Sequence, residues 1–174
     1  MVDPYTRAQV YLGYSHNRIH EGSAFYAQHI DSSMADTDTI KLLLVTPDTT
    51  TWIHLIWGMD TTGNCTVEFY EACTTSNDGT ALSIYNRQRN SALTPSLVVK
   101  HTPTVTNNGT LLQSFYSGSS GRFVTEAVES RNENEWILKQ NTKYLIQLTA
   151  HASIKGRLFC NWSEQSYRGL EGWQ

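Results

Sequence analysis

From Thr39 to Trp162 short apolar runs alternate with clusters of glycine, asparagine and serine, and no segment holds a convincing helical period. The runs are Thr39 to Val45, Trp52 to Met59, Cys65 to Cys73, Leu82 to Tyr85, Leu97 to His101, Leu111 to Tyr116, Phe123 to Val128, Trp136 to Lys139, Tyr144 to Thr149 and Leu158 to Trp162. Their spacing of roughly 8–15 residues predicts an all-β, single-domain antiparallel β-sandwich, jelly-roll-like. Ile40 to Val45 has no solvated face, which predicts a central strand covered on both sides. Trp52 to Met59 sets Ile53, Leu55, Trp57 and Met59 on one face; its other face (Trp52, His54, Ile56, Gly58) is also mostly apolar. Cys65, Val67 and Phe69 alternate with Thr66, Glu68 and Tyr70, a half-exposed strand. Thr61 to Asn64, Ser76-Asn77-Asp78-Gly79 and Asn107-Asn108-Gly109 are strong turn signals.

The two ends differ from this pattern. Residues 1–21 carry Tyr5, Arg7, Tyr11, Tyr14 and Arg18 with an apolar scatter that fits neither period. They suit a short helix, an edge strand, or an arm that orders against a partner; aromatics and arginine dominate interface energetics. Residues 22–163 form the expected sandwich, with Ser32 to Asp38 as a polar loop, and residues 164–174 read as a polar tail.

Composition narrows the function classes. The chain has 174 residues, enough to bury about 70% of its unfolded surface without a metal or disulfide staple. Charged residues are only 17%, while 21 Thr and 16 Ser supply hydroxyls suited to solvated sheet faces. A net charge of −3 offers no basic field for DNA or RNA. No stretch reaches the roughly 20 apolar residues of a membrane span, and Met1 to Tyr5 lacks a signal-peptide pattern. Neither nucleic acid nor a membrane is an expected partner. Cys65 and Cys73 bracket one predicted strand and stand roughly 26 Å apart if it is unbroken. With Cys160 they are expected to be buried free thiols.

Candidate chemistry is sparse. His16 and His20 would share a face if helical, but no third ligand stands nearby at metal-site spacing, so neither a metal nor another cofactor is expected. Asp36 and Asp38 are too few for a calcium loop. Glu126, Glu129, Glu133 and Glu135 could supply a glycosidase pair, as could the acids of most chains of this size. Gly118-Ser119-Ser120-Gly121 is not a nucleophile elbow. No catalytic residue is assigned. The most donor-rich stretch is Tyr85 to Ser91, where Arg87 and Arg89 would share a face if extended and could grip carboxylates; the plainer reading is a solvated loop.

Several strings carry a resemblance: Ile19-His20-Glu21-Gly22, Val67 to Glu71 followed by Asp78 to Leu82, Tyr85 to Ser91, His101 to Val105 with Gly109 to Leu112, and Glu135 to Leu138 leading to Tyr144-Leu145-Ile146. Together, from about His16 to Trp162, they resemble a family of small virion structural proteins of tailed bacteriophages. The resemblance implies a capsid decoration, or cement, protein made in the bacterial cytoplasm and bound to the outer surface of the head. It implies the major capsid protein as partner and a homotrimer bridging neighbouring capsomers. The residues themselves, and not the resemblance, which leaves out the first fifteen, offer the candidate capsid contacts Tyr5, Arg7, Tyr11, Tyr14, Arg18, Arg87 and Arg89. The alternatives are a glycan- or receptor-binding module of a fibre or tail, in which tryptophans stack on sugars, and a minor head-completion protein. At least four of the five tryptophans are expected in the core instead.

Overall fold

The computed structural model describes residues 13–117, 124–126 and 134–166. A short helix α1 (Tyr14–His20) leads into β1 (Ala24–Met34), β2 (Thr39–Val45), β3 (Thr51–Thr61) and β4 (Cys65–Glu71). Four short strands follow: β5 (Thr74–Asn77), β6 (Thr80–Ala81), β7 (Tyr85–Asn86) and β8 (Val98–His101). Then come β9 (Thr104–Asn107), β10 (Thr110–Ser117), β11 (Val124–Glu126), β12 (Trp136–Leu138), β13 (Lys143–Ala150) and β14 (Ile154–Ser166).

These strands make two six-stranded sheets packed face to face, all pairs antiparallel, as the apolar spacing predicts. The first runs β11-β3-β14-β1-β7, with β12 also against β3; the second runs β10-β4-β13-β2-β8-β6. β1 to β4 alternate between the sheets, as do β13 and β14, so β1, β3 and β14 face β2, β4 and β13 across one core. Ile53, Leu55, Trp57 and Met59 point inward from β3, meeting Phe69, Tyr144, Ile146 and Leu148 of the second sheet. Phe69 sits among Trp57, Trp136 and Tyr144 with ring centroids 5.5–5.7 Å apart, the offset and edge contacts that aromatic rings favour.

A third, two-stranded sheet, β5-β9, lies over the outer face of the second sheet. Beneath it Leu43, Leu145 and Cys73 form a small second core with Val45, Tyr70 and Val105. That strap explains why the strand is apolar on both sides from Leu42 to Val45, past Lys41: Leu42 and Leu44 fill the main core while Leu43 fills the other. The strap is a quasi-repeat. Ala72 to Thr80 and Thr102 to Thr110 correspond at a shift of thirty positions, sharing Thr74/Thr104, Asn77/Asn107, Gly79/Gly109 and Thr80/Thr110. Each copy leaves the sheet through a left-handed residue (Ala72, φ 59°; Thr102, φ 55°) and re-enters through a left-handed glycine (Gly79, φ 84°; Gly109, φ 83°). Each glycine N–H donates to the asparagine carbonyl two residues earlier, at 2.8 Å. A Cβ at Gly79 would fall 2.1 Å from the His101 carbonyl oxygen, and one at Gly109 2.1 Å from that of Glu71. One copy thus carries the chain from β4 across to β6 beside β8, and the other from β8 back to β10 beside β4.

Three expectations shift. β1 continues through Ser32 and Ser33 to Met34, so the polar loop shrinks to residues 35–38. The predicted strand Leu82 to Tyr85 is instead two short ones, β6 and β7, on either side of it. β14 continues to Ser166, pairing Glu164, Gln165 and Ser166 with Ile53, Trp52 and Thr51, so the first three residues of the expected tail belong to the sheet.

Candidate protein-contact surface

The outer face of the first sheet is built from the side chains that alternate with the core. Register sets Tyr85 beside Tyr26, Tyr26 beside Asn161 and Asn161 beside Ile56; it sets Gln28 beside Phe159, Ile30 beside Arg157 and Arg157 beside Asp60. A solvated antiparallel sheet would carry mostly polar groups here. Instead Ile30 is 54% exposed and Tyr85 51% exposed, flanking half-buried Tyr26, Phe159 and Ile56.

The patch is ordered by its polar members. The Arg157 guanidinium pairs with Asp60, lies 5.1 Å over the Phe159 ring, and donates from Nη1 to Gln28 Oε1 at 3.2 Å. Tyr26 Oη donates to the same oxygen at 2.6 Å, and its ring lies 6.4 Å from Phe159. Burial raises the Tyr26 pKa, so the hydroxyl remains a donor at neutral pH. Gly58 makes the room: a Cβ there would fall 2.6 Å from Phe159 Cζ, so any larger residue would lift the ring off the sheet. Large, rotamer-restricted aromatics with a held arginine bind partners at low entropic cost.

The Tyr85 to Ser91 stretch borders this face. Only Tyr85 and Asn86 are extended; residues 87–90 turn, so Arg87 and Arg89 are not presented as an extended same-face pair. Arg89 folds back, its guanidinium 5.7 Å from the Tyr85 ring centroid and its Nη1 3.3 Å from the Asn86 carbonyl oxygen. The Arg87 side chain is exposed while its N–H donates to the Ala24 carbonyl at 2.9 Å. Asn86 holds the loop, donating to the Gly22 and Leu93 carbonyls at 2.7 and 3.1 Å. From the other side the Glu164 carboxylate accepts the Ser96 and Leu97 N–H groups at 2.8 and 3.0 Å and Trp162 Nε1–H at 3.1 Å.

Of the other sequence candidates, Arg18 is paired with Glu21 at 2.8 Å and its side chain is only 16% exposed. Tyr14 opens α1, and Tyr5, Arg7 and Tyr11 lie outside the described residues. Trp57 and Trp162 are core, Trp136 is half-buried against Phe69, but Trp52 is 42% exposed on the outer side of β3, and Trp173 lies outside the described residues. The core therefore holds fewer tryptophans than expected among those described. Of the four glutamates weighed as a catalytic pair, Glu135 alone has a described side chain; it stands 3.6 Å from His54 Nδ1. All three cysteines are buried and free, and burial pushes Cys160 up to about 12 and raises Cys73, so both are thiols and not nucleophilic thiolates at neutral pH. No group of three or more metal-ligating side chains occurs among the described residues.

Neither protein-family profiles nor curated protein sequences match this chain.

Proposed function

We propose that the chain is a decoration protein of a tailed-bacteriophage head, bound to the outer surface of the capsid and bridging neighbouring copies of the major capsid protein. The carrying observation is the ordered apolar and aromatic face of the first sheet, where Ile30, Tyr26, Phe159 and Tyr85 lie with Arg157 over Phe159, Arg89 over Tyr85 and Arg87 at the border. Large exposed apolar side chains clustered on one face favour a macromolecular partner. The strand order supports the finer fold reading, a jelly roll: β1, β14, β3 and β11/β12 make one sheet and β2, β13, β4 and β10 the other, two Greek keys wound on one core. The family resemblance adds the homotrimer, a closed arrangement that presents the same patch three times. Binding the assembled lattice better than free subunits stabilises it by mass action, and three contacts per trimer multiply weak ones.

The test is co-sedimentation with purified heads lacking the protein, comparing the native chain with Ile30→Asp and with Tyr85→Ala/Arg89→Glu. These exposed side chains can change without opening the core. Saturable binding at hundreds of copies per head, lost in both variants, is the expected result. Binding unaffected by either variant removes this face from the contact. Binding to glycans and not to heads moves the chain to the fibre class, and a few copies per particle moves it to head completion.

A further inference from the structure

We propose that His16 and His20 form a bidentate site on α1 for a divalent transition-metal ion that imidazole nitrogens hold well, Ni²⁺ or Cu²⁺. Apart from the capsid reading, this rests on geometry alone. The segment is helical, so the four-residue spacing sets the two imidazoles on one face, edge to face at 74° with ring centroids 4.5 Å apart. Their Nε2 atoms stand 2.9 Å apart, and both side chains are exposed. The two Nε2 atoms already meet at hydrogen-bond distance, so a small rotation brings both within reach of one ion, and imidazole nitrogens suit Ni²⁺ and Cu²⁺. Loading needs the Nε2–Nε2 hydrogen bond broken and a small ring rotation, so that both lone pairs meet at the ion.

The remaining coordination positions would go to water, since no third ligand joins the pair among the described residues. Arg18 of the helix and Glu21 just after it are engaged with each other at 2.8 Å, and Glu21 also accepts from Asn17 Nδ2 at 2.6 Å. The ion would also act on the helix. α1 has seven residues and no side-chain cap at Gly13, well short of the ~12–15 residues at which an isolated helix becomes marginal in water. A metal bridge from position 16 to position 20 fixes one full turn and would staple it.

Nickel, which is redox-quiet toward the buried thiols, is the probe. Calorimetric titration of the full chain at pH 7.5 should show a site lost by about tenfold or more in affinity in His16→Ala and in His20→Ala, and unchanged in His151→Ala. In NMR spectra the ring signals of His16 and His20 should broaden first, a readout that decides the matter even if either alanine variant frays α1. Affinity should fall from Cu²⁺ to Ni²⁺ to Zn²⁺. The proposal is overturned by absence of binding at millimolar Ni²⁺, by affinity unchanged in both variants, or by Zn²⁺ binding more tightly than Ni²⁺.

Discussion

Replacing Asp78 with asparagine tests how the strap is fastened. Asp78 sits in the turn between β5 and β6, where Lys143 Nζ donates to Oδ1 at 2.6 Å and Lys100 Nζ approaches Oδ2 at 3.4 Å. Thr75 Oγ1 also donates to Oδ1. With the Lys143 hydrogen bond foremost, these partners hold the carboxyl at about 2, against an ordinary value of 3.8. At ~1.4 kcal/mol per pKa unit, that difference sets a ceiling of roughly 2.5 kcal/mol. The side chains of Asp78, Lys143 and Lys100 are 29%, 33% and 27% exposed, so solvent screening brings the expected loss down. About 1–2 kcal/mol at pH 7 is the working figure, a Tm shift of roughly 2–8 °C for a chain of this size. The amide fits the turn, because Asn108 occupies the matching position of the second copy. A depressed carboxyl contributes above its unfolded value and loses that contribution as pH falls from about 4 towards about 2. The difference between the native chain and Asp78→Asn should therefore be full at pH 7 and shrink towards pH 3, measured by urea unfolding at each pH. Lys143→Met should remove most of the same energy, and the double variant should lose clearly less than the sum of the two single losses. A loss under about 0.3 kcal/mol, or one that does not depend on pH, would refute the reasoning.

Three further outcomes follow from other parts of the molecule. His29 of β1 and His101 of β8 stack across the two sheets at 4.3 Å, and burial, with the neighbouring His101 adding to it and Asp31 opposing it, lowers the His29 pKa. The unfolded chain then binds the proton better, so stability should fall as pH drops through the ordinary histidine value of 6.5; His29→Gln should flatten urea midpoints between about pH 7.5 and pH 5. Gly109→Ala should cost more than about 2 kcal/mol, from left-handed strain and the overlap with the Glu71 carbonyl, whereas Gly13→Ala, with open space around it, should be near neutral in thermal melts. Glu164→Ala should speed hydrogen exchange at the Ser96 and Leu97 amides and cost about 1–2 kcal/mol, by leaving the part-buried Leu97 N–H and Trp162 Nε1–H unpaired.

The strands that the sequence made legible are those with one plain apolar face. Ile53, Leu55, Trp57 and Met59 announce β3, and Tyr144, Ile146 and Leu148 announce β13, because a two-residue period coincides with a single buried side. The strap escaped the same logic. Thr74–Asn77 and Thr104–Asn107 are largely exposed and, Val105 apart, polar, held mainly by backbone pairing, so they read as turns. What could have exposed them is the repeat of Thr-x-x-Asn-x-Gly-Thr thirty positions apart. The ends of β1 and β14 were cut short for a related reason: Ser32, Ser33, Glu164 and Gln165 are polar residues that continue a ladder past the core. The contact face was hidden by its own chemistry. Tyr26 and Ile30 alternate with Phe25 and Ala27, so apolar residues lie on both faces of β1, and only the fold tells which pair is buried.

The central claim is attachment to the capsid shell. Cryo-electron microscopy of purified virions, with this protein and without it, tests that claim most directly. The account predicts density lost at regular sites across the outer shell, with Ile30, Tyr85 and Phe159 turned toward the major capsid protein and earlier heat rupture of the stripped heads. Density lost only at the tail, or no density lost at all, would contradict it.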